Sequence, residues 1–310
     1  MMKKNMWSRW ILALAVVWPF MAAARDRVRE KENFDFDWKF ILNADDRANA
    51  GMQVSEAGWQ DVQLPHDWSI SQNFDPKLSG SNGHLPGGIG WYRKTFRVDK
   101  KDKGRRIAVL FDGIYSRSDV YVNGQHLGFR PYGFCYQEYD LTPYLNYGAE
   151  NVLAVRVNNP LEHDSVARWY TGAGIYRHAW LVKTAEVHVA SYGTYVTTPV
   201  VTAERAEVRV RTSVANEAER TKTLSVRQQI TDGEGRTVVQ SGKQALQVAA
   251  GQTADTEHTL EIPRPQLWNT EHPYLYTLHT TVYDGRKLVD TYETVFGVRT
   301  CEFTSDRGFL

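Results

Sequence analysis

The chain has 310 residues, of which 42% are hydrophobic, so it is long enough for two domains with sizeable cores. Its 37 basic and 36 acidic residues give a net charge of +1, and no basic run exceeds a few residues. This balance argues against a nucleic-acid partner, which needs a concentrated positive surface.

The first 24 residues have the organisation of a secretory signal peptide. Lys3, Lys4 and Arg9 form a basic region, residues 10–21 are apolar, and residues 22–24 supply small side chains for cleavage. A membrane anchor is the alternative, but an apolar stretch of about 12 residues is too short to span a bilayer. We predict cleavage near Ala24, export to the periplasm or the extracellular space, and no membrane span after cleavage.

Residues 25–185 predict a first β-sandwich. The apolar run at residues 107–111 ends at an Asp-Gly turn, and residues 120–122 lead into Asn123-Gly124, a strong signal for a two-residue hairpin. Further apolar strands follow at residues 152–157 and 179–182. The spacing of these strands and turns is typical of a β-sandwich.

The segment at residues 168–177, RWYTGAGIYR, lies between two of these strands. Its glycines do not suit a central strand, and its aromatic residues do not suit a disordered linker. It therefore predicts an ordered loop that presents flat rings and guanidinium groups. Such groups suit a sugar, because a ring can stack on a pyranose and an arginine can donate two parallel hydrogen bonds.

Residues 186–298 predict a second sandwich, because polar and apolar residues alternate cleanly there. Three series are expected to point inwards, which is typical of antiparallel sheets with one buried face. They are Val208, Val210, Thr212 and Val214; Leu224, Val226, Gln228 and Ile230; and Tyr276, Leu278, Thr280 and Val282. About 110 residues with six or seven such strands suggest an immunoglobulin-like sandwich. Residues 299–310 are expected to begin a further domain.

The cysteines and histidines do not predict a metal site or a cofactor. Cys135 and Cys301 fall in different predicted domains, so we expect two unpaired and mostly buried thiols rather than a disulfide. There is no CxxC, HxH or HExxH spacing, and the nine histidines are scattered singly.

Six motifs, in order, resemble those of glycoside hydrolase family 2, the β-galactosidase and β-glucuronidase family. The resemblance extends over roughly residues 33–310. The motifs are LPHDW at 64–68, GWYRKTF at 90–96, FDG at 111–113 with VYVNG at 120–124, the loop at 168–177, WN at 268–269 with PYLY at 273–276, and FGVR at 296–299. The resemblance implies an all-β chain, with a jelly-roll (galactose-binding-like) sandwich at 25–185 followed by an immunoglobulin-like sandwich at 186–298.

In this family the chemistry belongs to a third domain, a (β/α)8 barrel whose two glutamates perform retaining hydrolysis. The barrel motifs do not occur in this sequence, so no catalytic residue is assigned and the chain alone is predicted to be inactive. The resemblance implies that the jelly roll contributes substrate-binding residues at the rim of the barrel's site. We assign this role to Arg168, Trp169, Tyr170 and Asp67. The alternatives are a surface ion pair for Arg168, packing between domains for Trp169 and Tyr170, and a turn or domain contact for Asp67. His66 is expected to be a packed loop residue.

The sequence leaves three functional interpretations open. In the first, the chain is the non-catalytic N-terminal part of an exported, β-galactosidase-like family 2 glycosidase, whose barrel lies in the same chain or in another one. Alternatively, it is a stand-alone carbohydrate-binding protein, or a subunit that complements a separately encoded barrel. The expected ligand is a β-galactoside-type glycan, although the sugar and its linkage are not fixed by the sequence.

Overall fold

The computed structural model describes residues 28–42, 45–80, 83–160 and 169–309. The chain is all-β over these ranges, and its helical segments there are short 3-10 turns. None of the helices in the described ranges is long and apolar enough to cross a membrane. The predicted signal peptide at residues 1–24 and the terminal Leu310 lie outside the described residues.

Ten strands build the first sandwich. They are β1 (Glu30–Asn33), β2 (Trp38–Leu42), β3 (Gln60–Val62), β4 (Gly88–Arg97), β5 (Arg106–Phe111), β6 (Ser118–Val122), β7 (Gln125–Arg130), β8 (Gln137–Asp140), β9 (Glu150–Asn159) and β10 (Ala179–Thr184). One sheet has the strand order β1-β10-β5-β8, and the other has the order β3-β2-β4-β9-β6-β7. All of their pairings are antiparallel, so the predicted first sandwich is confirmed.

The core of this sandwich is rich in aromatic rings. Trp38, Trp68, Tyr92 and Phe111 are fully buried and pack against aliphatic residues of the facing strands. Phe40 stacks on Trp68, with ring centroids 5.5 Å apart. These large side chains fill the space between the two sheets, and they explain much of the high aromatic content of the sequence.

Both sheets of the first sandwich are also covered on their outer faces. Strands β5 and β9 are buried along almost their whole length, rather than at every second residue. The outer face of the six-stranded sheet lies under residues 45–59, whose carbonyl oxygens at Asn49 and Gly51 accept hydrogen bonds from Arg93. Arg93 also pairs with Glu56 at 2.9 Å, so this segment is tied to the sheet by a buried cation.

Eight strands build the second sandwich. They are β11 (Val187–Val201), β12 (Arg205–Asn216), β13 (Lys222–Thr231), β14 (Thr237–Gln240), β15 (Gln244–Val248), β16 (Gln252–Pro263), β17 (Tyr276–Asp284) and β18 (Lys287–Phe296). One sheet has the order β11-β12-β16, and the other has the order β14-β13-β17-β18 with β15 also paired to β13.

The three alternating series of the sequence point inwards as predicted. Their apolar members form two separate clusters, one around Val210 and Ile230 and the other around Val214 and Val226. Between the clusters lie the fully buried Thr212, Gln228 and Thr280. The amide Nε2 of Gln228 donates to the Thr212 hydroxyl at 2.9 Å, and the Thr280 hydroxyl donates to Oε1 of Gln228 at 2.7 Å. A satisfied polar layer therefore crosses the core.

The second sandwich packs on the outer face of the four-stranded sheet. Arg29, just before β1, donates to both carboxylate oxygens of Asp290, at 3.0 Å and 2.8 Å. Asp290 is fully buried and also accepts a hydrogen bond from the backbone N–H of Val189 at 2.7 Å. Arg106 of β5 forms a second ion pair across the junction with Glu217 at 2.8 Å. These contacts fix the two sandwiches relative to each other.

The last described residues form a small hairpin of β19 (Phe303–Thr304) and β20 (Gly308–Phe309). Phe303 and Phe309 stack on each other in this hairpin and are both exposed. Cys135 and Cys301 are free, as predicted. The expectation that both are mostly buried is wrong, because Cys135 is half-buried and Cys301 is exposed. Cys301 comes after Val298, the last buried residue of the second core.

The junction predicts the effect of removing Asp290. We expect Asp290→Ala to lower the free energy of unfolding by about 3 kcal/mol, because it leaves Arg29 half-buried without its partner. The matched control is Glu150→Ala, which breaks the exposed pair with Arg97 and should cost less than about 1 kcal/mol. Urea unfolding followed by circular dichroism measures both variants. Equal losses in the two variants would show that the buried pair does not hold the junction.

Candidate functional site

The segment at residues 169–177 is an ordered loop, as the sequence predicted. Gly174 forms an antiparallel bridge with Tyr115, in which each backbone N–H donates to the other carbonyl at 2.9 Å. On its other side, the backbone N–H groups of His66 and Trp68 donate to the carbonyls of Ile175 and Ala173. Arg168, the first residue of the predicted motif, lies outside the described residues.

Asp67 holds this loop in place through three internal hydrogen bonds. Its Oδ1 accepts from the backbone N–H groups of Ser69 and Ala173, both at 2.9 Å. Its Oδ2 accepts from the hydroxyl of Tyr170 at 2.6 Å. The bond to Ser69 is a local Asx turn, whereas the other two join segments more than 100 residues apart. The structure thus gives Asp67 a positioning role, and its contact with a sugar stays a prediction.

Tyr170 is held protonated by its surroundings. Partial burial and the hydrogen bond to the Asp67 carboxylate both raise the pKa of the Tyr170 phenol well above its usual range. Because the phenol keeps its proton, Tyr170 donates this hydrogen bond to the Asp67 carboxylate, and the bond fixes the position of the phenol. The Asp67 carboxylate also lies close to Gly172, and this contact requires a glycine. Gly172 has a φ of +71°, and a Cβ there would lie 2.7 Å from Oδ2 of Asp67.

Four aromatic side chains form an exposed surface, here called the aromatic patch: Tyr132, Phe134, Trp169 and Tyr170. Their exposed fractions are 61%, 41%, 58% and 40%. The ring centroids of Phe134 and Trp169 are 6.1 Å apart, and those of Tyr132 and Phe134 are 5.7 Å apart. Large rings held at the surface are suited to stacking on the C–H face of a sugar.

Half of the patch comes from a loop that the sequence analysis did not single out. Residues 131–136, PYGFCY, connect β7 and β8 and supply Tyr132 and Phe134. The carbonyl of Gly133 accepts a hydrogen bond from the Tyr176 hydroxyl at 2.9 Å, which joins this loop to the segment at 169–177. The signal that could have found it is compositional, because both loops interleave glycines with aromatic residues.

His66 is a packed loop residue, as predicted. Its ring packs edge-on against Phe40, with centroids 4.8 Å apart, and its Nδ1 lies 2.7 Å from the hydroxyl of Tyr92. Burial lowers the pKa of His66 and raises that of the fully buried Tyr92. This hydrogen bond therefore joins a neutral imidazole to a protonated phenol. This arrangement supports the fold beneath the loop at 169–177.

The exposed rings suit a flat, polyhydroxylated ligand, because they can stack on it. Asp67 already accepts hydrogen bonds from Ser69, Ala173 and Tyr170. Over the described ranges there is no group of three or more His, Cys, Asp or Glu side chains placed to hold a metal ion.

Comparisons with known proteins find matches to one family along nearly the whole described chain. The profile of the family described as "Glycosyl hydrolases family 2, sugar binding domain" matches residues 32–185. The profile described as "Glycosyl hydrolases family 2" matches residues 187–299. Together the two matches include the aromatic patch, the loop at 169–177 and both sandwiches.

Individual relatives carry two enzyme names. Beta-galactosidase BoGH2A of Bacteroides ovatus is 42% identical over 289 residues, which are 91% of this chain and 33% of the relative. A beta-glucuronidase of Formosa agariphila is 33% identical over 308 residues, covering 91% of this chain and 31% of the relative. The chain therefore spans about a third of the length of the curated relatives it matches.

Solved structures show the same architecture. A glycosyl hydrolase family 2 member from Bacteroides cellulosilyticus superimposes with a TM-score of 0.82 and 36% identity, over 90% of this chain and 36% of that one. A β-glucuronidase from glycoside hydrolase family 2 gives a TM-score of 0.82 at 32% identity, over 91% of this chain and 32% of its own.

The contact between Gly172 and Asp67 predicts how the loop responds to substitution. We expect Gly172→Ala to displace the Asp67 carboxylate, because the new Cβ meets it at 2.7 Å. The backbone N–H of Ala173 should then exchange with solvent about tenfold faster or more, equivalent to ~1.4 kcal/mol. Hydrogen exchange with mass spectrometry measures this change in the loop.

The matched control for this variant is Gly58→Ala. Gly58 also has a positive φ, +83°, but a Cβ there has open space around it. It carries the same backbone strain without touching Asp67, so the exchange at Ala173 should stay as in the unmodified chain. If Gly172→Ala leaves that exchange unchanged as well, Asp67 does not hold the loop.

Proposed function

This chain belongs to glycosyl hydrolase family 2, and we propose that it serves as the non-catalytic N-terminal part of a glycosidase that hydrolyses O-glycosyl bonds with a (β/α)8 barrel. Three facts support this role: the two family matches, the coverage of about a third of each relative, and a described structure made only of β-sandwiches. The barrel partner lies in the same protein or in a separate chain that docks on this one.

The aromatic patch is the observation that carries the proposal. Trp169 and Phe134 present their rings to solvent, and the loops beneath them are held by buried hydrogen bonds. Because the rings are already ordered, a sugar that stacks on them does not have to immobilise the loops first. Arg168, next to Trp169 in sequence, would add a guanidinium for vicinal hydroxyls.

The substrate we propose is a β-galactoside-type glycan. The relative at 42% identity is called a beta-galactosidase, whereas the one at 33% identity is called a beta-glucuronidase. The higher identity supports a galactoside, and a glucuronide is the alternative. In either enzyme the patch would form one wall of the sugar site, and the barrel would supply the acid/base and the nucleophile.

We further propose that the protein is exported. The signal-like segment at residues 1–24 supports this location, and cleavage near Ala24 would leave Arg29 in place to bind Asp290. Expression in a Gram-negative host and N-terminal sequencing of the periplasmic fraction would test the proposal. A mature N-terminus near Arg25 is expected, and a chain that keeps its first residues in the cytoplasm would contradict export.

Activity measurements test the non-catalytic role. The purified chain should not hydrolyse aryl β-galactosides or aryl β-glucuronides above the buffer rate. A chimaera in which residues 25–299 replace the matching third of the Bacteroides ovatus relative should restore hydrolysis. Turnover by the isolated chain would refute the non-catalytic assignment.

Within the chimaera, Trp169→Ala should raise KM about tenfold, or ~1.4 kcal/mol, because a stacking surface for the sugar is lost. The matched control is Tyr195→Ala, which removes an equally exposed ring (61%) from the second sandwich and should leave KM unchanged. If the Trp169→Ala chimaera has unaltered kcat and KM, the patch is not part of the sugar site.

A further inference from the structure

A cavity lies at the junction of the two sandwiches, separate from the aromatic patch. Its volume is about 400 Å³. Leu110 and Val182, on the outer face of the four-stranded sheet, form its floor, and Tyr192 and Tyr292 of the second sandwich form its walls. Domain junctions are common places for ligand pockets, and this volume lies within the range of small-molecule sites.

Tyr192 reaches the cavity from a strained bulge. The register of β11 against β12 shifts between Val189 and Thr194, and Tyr192 has a φ of +53°, which is rare for a residue with a side chain. The surroundings maintain this conformation, because the Tyr192 N–H donates to the Tyr292 hydroxyl at 3.1 Å and the Tyr192 ring packs on Tyr136 at 4.7 Å. Strain kept in this way is found at binding sites.

The charges around the cavity are balanced. Arg29 lines it, but its guanidinium is paired with Asp290 and lies 4.8 Å above the Tyr292 ring. Lys31 adds one ammonium group, held 4.0 Å above the Trp180 ring, and Glu293 adds one carboxylate, which lies 3.2 Å from Nδ1 of His279. The Glu293 carboxylate would repel a phosphate or a nucleotide, and the guanidinium of Arg29 is already paired with Asp290. Aromatic walls with a few polar groups suit a neutral polyhydroxylated ring instead.

From this geometry we propose that the cavity binds a neutral hexopyranose unit of a glycan, as a second carbohydrate site distinct from the patch. Tyr136 belongs to the loop at 131–136, which also carries Phe134 of the patch, and it packs on Tyr192 of the cavity wall. The two sites are thus joined by one loop. A glycan chain that binds at the patch has this cavity as the neighbouring place for another unit.

A titration by saturation-transfer NMR tests the cavity, with methyl β-D-galactopyranoside and methyl β-D-glucopyranoside as neutral probes. It is performed on the full chain with Trp169→Ala, so that binding at the patch is weakened and the response to changes in the cavity dominates. A dissociation constant on the order of 1 mM is expected. Thr291→Trp, which fills the cavity from its rim, should weaken binding at least tenfold.

Tyr195→Ala serves as the control, because it removes an exposed ring from β11, the strand of Tyr192, outside the cavity and should leave binding unchanged. Thermal unfolding verifies that each variant is folded. If Thr291→Trp does not fold, Lys31→Ala replaces it and should weaken binding at least threefold.

Two outcomes would overturn the proposal: no binding of either neutral probe, or equal binding by the cavity-filled variant. Methyl β-D-glucuronide is titrated in parallel, and if it alone binds, the cavity takes an anionic sugar and the proposal of a neutral ligand is wrong. None of them bears on the KM measurements with the chimaera, so failure of this site and failure of the proposed function are distinguishable.

Discussion

The structure depends on a single constraint, which is that both sheets of the first sandwich must be covered on two faces. Strands β5 and β9 carry apolar side chains towards the core and also towards the outside. A sheet with one face in water has alternating polarity, so these strands require a second layer. The segment at residues 45–59 covers one outer face, and the second sandwich covers the other. The buried pair of Arg29 and Asp290 then fixes that second layer in one orientation.

The sequence predicted the fold well wherever burial follows a simple period. The residues of β12, β13 and β17 that point inwards were predicted correctly, because successive side chains of a strand point to opposite faces of the sheet. The hydrogen bonds among Thr212, Gln228 and Thr280 were not predictable, since they depend on which strands become neighbours across the core. The prediction that Cys301 is mostly buried was wrong for a similar reason. Nothing in the local sequence indicates that the core of the second sandwich ends at Val298.

The candidate site was predicted only in part. The motif at residues 168–177 predicted a loop that presents flat rings, with stacking on a sugar or packing between domains as the role of Trp169 and Tyr170. Both rings are exposed in the structure. The motif gave no sign that Asp67, about 100 residues earlier, would hold the loop by bonding Ala173 and Tyr170. Such contacts arise when two loops meet at one end of a sandwich. Local sequence therefore identifies the residue types of a site better than it identifies their partners.

The aromatic patch is connected to the domain junction by direct contacts. Asp112 accepts hydrogen bonds from Trp180 of the first sandwich and from Tyr192 of the second. Tyr192 packs on Tyr136, and the loop of Tyr136 carries Phe134 beside Trp169. A change in the angle between the sandwiches would move this loop relative to the segment at 169–177. In the proposed role of the patch as a stacking surface for a sugar, which needs rings in fixed positions, the second sandwich would help to set where half of the patch lies.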